Sequence, residues 1–206
     1  FELGSTRCAQ MKIWTSEHVF DHDWETVVHA AWRKYPNPMN GAVTAIDVLN
    51  QDINEGRVVS ERVLQSHFPI PGWVTKLTGF SGTQYSHEYT MIDPSQREMH
   101  LCTRNLNGDS FLRVDERLTY RPHATDATKT ILRQEAIVTV NLPVFTDHCE
   151  RTFLSVYSNN ATKGRNGIEW VIDHLRKEYQ ELSSKVSTEV HDMSEKMINA
   201  FNHTHQ

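Results

Sequence analysis

The stretch FLSVYSNNATKGRNGIEWVIDHLRKEYQEL, residues 153–182, decides the fold. Phe153, Val156, Tyr157, Ile168, Val171, Ile172, Leu175, Tyr179 and Leu182 recur in it at helical spacing. Traced back to about residue 145, the helix would be roughly 55 Å long at 1.5 Å per residue. Only a large curved sheet covers one face of such a helix. Upstream, seven runs with strand character supply it: 11–20, 42–49, 57–65, 83–92, 98–106, 111–121 and 130–140. Most are joined by short turns (NEG at 54–56, DPSQR at 93–97, NGD at 107–109), so consecutive strands are antiparallel neighbours. After the first strand, Trp24, Val27, Val28, Ala31 and Tyr35 change to helical spacing, with Asp21 or Asp23 as N-cap and Pro36 as the stop. The expected class is α+β: a seven-stranded antiparallel curved sheet gripping a long C-terminal helix. The space between sheet and helix is either a filled core or a cavity, and spacing alone does not choose.

The chain's 206 residues suffice for one domain with a core and a polar appendage. The expected division is an extension or expression remnant at 1–10, with Met11 as the natural start, a domain at 11–180, and a polar tail at 181–206, helical or disordered. No internal repeat is expected. A net charge of -5 argues against a general nucleic-acid binder, so no nucleic-acid partner is expected and any anion site must be local. Cys8, Cys102 and Cys149 form no CxxC pair and are odd in number, which gives neither a zinc pattern nor a disulfide framework. The 12 histidines include no H-E-x-x-H pair, and no G-x-S-x-G elbow or phosphate-binding Gly-rich loop occurs. No metal, cofactor or catalytic residue is therefore expected, and the chain is not expected to be an enzyme. No apolar run reaches the ~18–20 residues that span a bilayer.

FPIPGWVTKLTGF, residues 68–80, puts Phe68, Ile70, Trp73, Val74, Leu77 and Phe80 between two strands. Pro69, Pro71, Gly72 and Gly79 keep the segment out of the sheet. It is either a buried loop packed on the core or an apolar flap.

MKIWTSEHVF at 11–20, RKYPNPMN at 33–40 and SNNATKGRNGIEWVI at 158–172 resemble the PRELI/MSF1 family, and within it the slowmo branch, the PRELI-domain-containing 3 type. The resemblance runs from about residue 11 to 178. It implies a carrier of single phospholipids between the outer and inner mitochondrial membranes, resident in the intermembrane space. The slowmo branch is associated with phosphatidylserine, the PRELI branch with phosphatidic acid. It also implies a heterodimer with a small twin-Cx9C helical protein, transient contact with the membrane surface, an internal lipid cavity, and a lid.

The physical task fits that expectation. A diacyl phospholipid has on the order of 30 methylenes, and exposing them at about 0.8 kcal/mol each costs roughly 25 kcal/mol. A carrier needs an apolar cavity, an opening, and partners for the head group. In the family, 68–80 is the position of the lid: Phe68, Ile70, Trp73, Val74, Leu77 and Phe80 would close over the tails in water and contact the bilayer, with Trp73 at head-group depth. A buried phosphodiester must be paired. Lys34, Arg62 and Lys163 match the family's anion-binding positions, and Asn160 sits within the apolar stripe of the last helix as a polar amide wanting a partner. Arg33 is a weaker candidate. Gly164 and Gly167 make room for a ligand or a close strand. A phosphatidic acid carrier, or a static lipid-binding or partner-binding module without transfer, remains open.

Overall fold

The computed structural model describes residues 10–70, 72–140 and 146–204. Seven strands form one antiparallel sheet in the order β1-β7-β6-β5-β4-β3-β2. They are β1 Gln10–Phe20, β2 Val43–Asn54, β3 Arg57–His67, β4 Thr83–Asp93, β5 Glu98–Asn105, β6 Leu112–Pro122 and β7 Thr130–Val140. Strands β2 to β7 are a simple meander. β1 closes the sheet by pairing with β7 from Gln10↔Val140 to Phe20↔Thr130. The count and the antiparallel pairing match the reading of the sequence. The bounds differ most at β2, which runs five residues past 49; the β5–β6 connection takes residues 106–111, around the expected turn at 107–109.

The strand period of two sets what faces inward. In β7 the inward side carries Thr130, Leu132, Gln134, Ala136, Val138 and Val140. The β2–β3 turn needs left-handed backbone at two successive residues, Glu55 at φ 49° and Gly56 at φ 77°, the geometry that matches the twist of a tight hairpin.

Helix α1, Trp24–Trp32, starts at Asp23, whose side chain accepts from the Thr26 amide at 2.9 Å. The helix ends before Pro36, and a 3₁₀ turn at Pro38–Asn40 follows. The segment 68–80 contains a short helix, α2 Gly72–Thr78. The last element, α3 Thr146–Thr204, is 59 residues long, so the polar tail is a continuation of the helix.

One end of the space between sheet and helix is solid. Phe20, Trp24, Val27, Val28, Leu101, Leu118, Tyr120, Leu132, Ile168 and Ile172 form a buried cluster uniting β1, α1, the sheet centre and α3. Polar contacts fix the helix there. Arg176 donates to His22 Nδ1 at 3.1 Å, which leaves Nε2 as the ring donor to Glu169 at 3.0 Å. Trp24 Nε1 donates to the Tyr120 carbonyl at 3.2 Å.

Candidate functional site

The other end of that space is empty. A cavity of about 630 Å³ lies between the inner face of β3–β7, the middle of α3 and the segment 68–80. Its wall is mostly apolar. Phe68, Pro69, Ile70, Phe80, Phe111 and Leu112 line it on the side of α2, and Leu101, Leu118, Leu132 and Ile168 on the side of the core. From α3 come Asn160, Ala161, Gly164 and Arg165. The two glycines divide their expected roles. A Cβ at Gly164 would meet nothing within 4 Å, so this glycine opens the helix to the cavity. A Cβ at Gly167 would stand 2.9 Å from Asn37 Nδ2, so this one lets the helix close on the loop after α1.

A polar row crosses the inner face. Arg62 on β3 lies opposite Glu88 on β4, Glu88 opposite Thr103 on β5, and Thr103 opposite Glu116 on β6. Arg62 is buried and donates to the buried Glu88 carboxylate through Nε at 2.8 Å and through Nη2. Its Nη1 donates to the Trp32 carbonyl at 3.2 Å, and its guanidinium lies over the Trp32 ring, 5.2 Å from the centroid. Glu116 accepts from Gln134. Lys34, from the loop after α1, lines the cavity beside these groups. Burial works against its charge, but Tyr35, Tyr120, Glu88 and Glu116 outweigh burial and hold the ammonium above its ordinary range. Burial, with Lys34 opposing, pushes the Tyr120 hydroxyl up to about 12. The Tyr120 hydroxyl and Arg165 Nη1 are buried polar atoms without a hydrogen-bond partner among the described residues.

The expected head-group residues are therefore not equivalent. Lys34 and Asn160 line the cavity. Arg62 is absent from the lining and donates through Nε, Nη1 and Nη2 to Glu88 and the Trp32 carbonyl, and Lys163 is exposed on α3 outside it. The residue at the wall is its neighbour Arg165, whose Nη2 donates to Thr162 at 2.9 Å while Nη1 is free of any described partner. Of the expected lid residues, Phe68, Ile70 and Phe80 line the cavity; the side chains of Trp73, Val74 and Leu77 lie outside the described residues. The acidic and amide groups, Glu88, Glu116 and Gln134, were not anticipated. Their signal was parity: Glu116 alternates in phase with Val114, Leu118 and Tyr120, all turned to the inner side.

The PRELI-like family model matches residues 25–178. The chain belongs to the PRELI-like family. It is 29% identical over 199 residues to "Protein UPS2, mitochondrial" of Saccharomyces cerevisiae, covering 94% of this chain and 84% of that protein. It is 32% identical over 169 residues to "Protein slowmo homolog" of Dictyostelium discoideum, covering 81% of this chain and 74% of that one. In fold it is similar to a START superfamily protein from Mycobacterium smegmatis, at a TM-score of 0.51 and 17% identity, over 77% of this chain and 98% of that chain. Such a distant likeness carries the architecture alone. No group of three or more metal-capable side chains occurs among the described residues, and no helix of the described residues is long and apolar enough to cross a membrane.

Proposed function

We propose that this PRELI-like protein carries single phospholipids between the outer and inner mitochondrial membranes, with phosphatidylserine as cargo. The observation that carries the reading is the cavity of about 630 Å³, apolar along its walls and charged on the sheet side. The apolar wall offsets the roughly 25 kcal/mol that exposed acyl chains would cost. The charges speak to the head group. Arg62, Lys34, Glu88 and Glu116 are two formal positive and two formal negative groups, leaving Arg165 as a wall cation that makes no ion pair among the described residues. A head group with one net negative charge matches that remainder. One that also carries an ammonium uses the carboxylates, with Glu116 as its acceptor and Lys34 and Arg165 as partners of the phosphate and carboxylate. Phosphatidic acid has no ammonium and leaves Glu116 facing an anion, so it is the disfavoured cargo. A mitochondrial setting is supported by the relative named for that organelle. Residence in the intermembrane space, a twin-Cx9C helical partner, and the absence of a catalytic step complete the reading.

Fluorescent phosphatidylserine moving from donor to acceptor liposomes, with phosphatidic acid in parallel, tests it. Arg165→Gln is expected to slow phosphatidylserine transfer at least tenfold with an unchanged circular dichroism spectrum. Glu116→Gln is expected to narrow the gap between the two lipids. Binding without arrival at acceptor liposomes would leave a static lipid-binding module. Chemical change of the lipid would make the protein an enzyme.

A further inference from the structure

Beyond its last core contact at Leu175, α3 runs on as an arm with an apolar stripe that touches nothing described. Tyr179, Leu182, Val186, Val190, Met193 and Met197 are between 52% and 74% exposed. They recur with an interval of 11 residues: Tyr179 with Val190, Leu182 with Met193, Val186 with Met197. The charges keep the same interval, Glu178 with Glu189, Lys185 with Lys196, and Glu181 with Asp192. Residues 178–188 and 189–199 are thus two copies of one unit, an internal repeat that the sequence reading did not expect. An 11-residue apolar period is 3.67 residues per turn, so the stripe runs nearly straight along the helix. At 3.6 residues per turn it continues the face that buries Ile168, Ile172 and Leu175 in the domain.

We propose that this arm pairs antiparallel with the arm of a second copy of the chain. The flanks decide orientation. Glu178, Lys185, Glu189 and Lys196 fall on one side of the stripe, Ser183, Ser187 and Ser194 on the other. An antiparallel pair brings like flanks together, and a single register then satisfies both apolar and charged groups. Leu182 meets Met193 of the second copy, Tyr179 meets its Met197, and Val186 meets its Val190. In that register Glu178 lies beside Lys196 of the second copy and Lys185 beside its Glu189, each twice by symmetry. Parallel pairing sets the charged flank against serines and makes none of these pairs. A lipid surface is the poorer occupant: residues 178–199 hold five acidic and two basic side chains, which repels anionic bilayers. Pairing would hold the two domains at opposite ends of a short rod, with their edges about 35 Å apart at 1.5 Å per residue.

Sedimentation velocity on the full chain, from about 1 to about 300 μM, reads the equilibrium. The expected result is a rise in mass from 23.8 kDa towards twice that value. Val186→Asp with Val190→Asp abolishes the rise. Lys185→Glu weakens pairing at least fivefold, and adding Glu189→Lys restores it, with helix content followed by circular dichroism. With Cys8, Cys102 and Cys149 replaced by serine, mixed variants Leu182→Cys and Met193→Cys cross-link to each other in preference to themselves. A mass that stays monomeric throughout, preferential Leu182→Cys self-cross-linking, or loss of vesicle binding in the aspartate variant without any change of mass would each overturn the proposal. None of these readouts involves lipid transfer, so this outcome is separable from that of the cargo experiment.

Discussion

Arg62 is held so completely that its chemistry is spent inside the fold. Its side chain is 10% exposed, that of Glu88 only 3%, and the pair sits mid-strand at directly opposite positions of β3 and β4. Removing one partner strands a buried charge, which costs about 3–5 kcal/mol. Arg62→Ala is therefore expected to lower unfolding free energy by that amount in urea titrations; a loss under ~1 kcal/mol would mean that water relieves Glu88. A charge-reversed Arg62→Glu places two carboxylates together, so its loss of activity would report unfolding rather than lipid binding. Asp93 serves a different purpose, closing the β4–β5 turn. It accepts from Ser95 Oγ at 2.6 Å, Arg57 Nε at 2.7 Å and the Gln96 amide at 3.1 Å, and these bonds, led by Ser95, hold its pKa at about 2 instead of 3.8. A depressed carboxylate stabilises the fold above its unfolded pKa and loses that contribution as pH falls through the folded value. Asp93→Asn is expected to reduce Tm at neutral pH, with the gap to wild type closing between about pH 4 and pH 2. A gap constant across that range would show that Asp93 acts without its charge. At this scale the sequence is only half legible. Lys34 could be placed only through the family position that RKYPNP resembles. Glu88 and Glu116 were passed over despite their inward parity, because an acidic residue in a strand ordinarily faces water.

Among the elements, α3 carries the information about how domain and cavity meet. Its two glycines are spaced so that one faces the cavity and the other faces Asn37, a buried residue tied by its carbonyl to the Asn40 amide at 3.0 Å and by its amide to the Lys34 carbonyl. Gly167→Ala forces Asn37 aside and is expected to cost about 1–3 kcal/mol, as overpacking does. Gly164→Ala meets open space and is expected to gain up to ~1 kcal/mol from helix propensity. Paired thermal melts read both; equal effects would refute the division of roles. Gly164→Leu extends the contrast by keeping the fold while filling cavity volume and lowering lipid loading. The strands were legible because alternation is strong wherever one face is covered. β2 was not legible beyond 49, since it is the sheet edge and nearly every residue in it is exposed, leaving no alternation to follow. The far end of α3 was blurred for the same reason: its stripe is sparse and rests on nothing among the described residues.

At the scale of the whole molecule, a cargo must enter and leave a cavity walled by the sheet, by α3 and, through Phe68, Pro69, Ile70 and Phe80, by the segment 68–80. In the proposed carrier the wall that opens is this segment. Its ends are clamped where the Phe68 amide donates to the Gly82 carbonyl at 2.8 Å. Its outer contact is aromatic: Phe80 meets Phe111, from the β5–β6 connection, edge to face with centroids 5.5 Å apart. Such a pair contributes about 1 kcal/mol beyond its area, close to fivefold in an opening equilibrium. Phe111→Ala is expected to speed release of bound fluorescent phospholipid to acceptor vesicles by about that factor, with Tm lowered by only a few °C. Hydrogen exchange supplies the independent check, with amides of 75–80 exchanging faster in the variant and those of β7 unchanged. Release at the wild-type rate, with exchange of 75–80 accelerated, would mean that lipid leaves by another wall and that the aromatic contact closes nothing the cargo passes through.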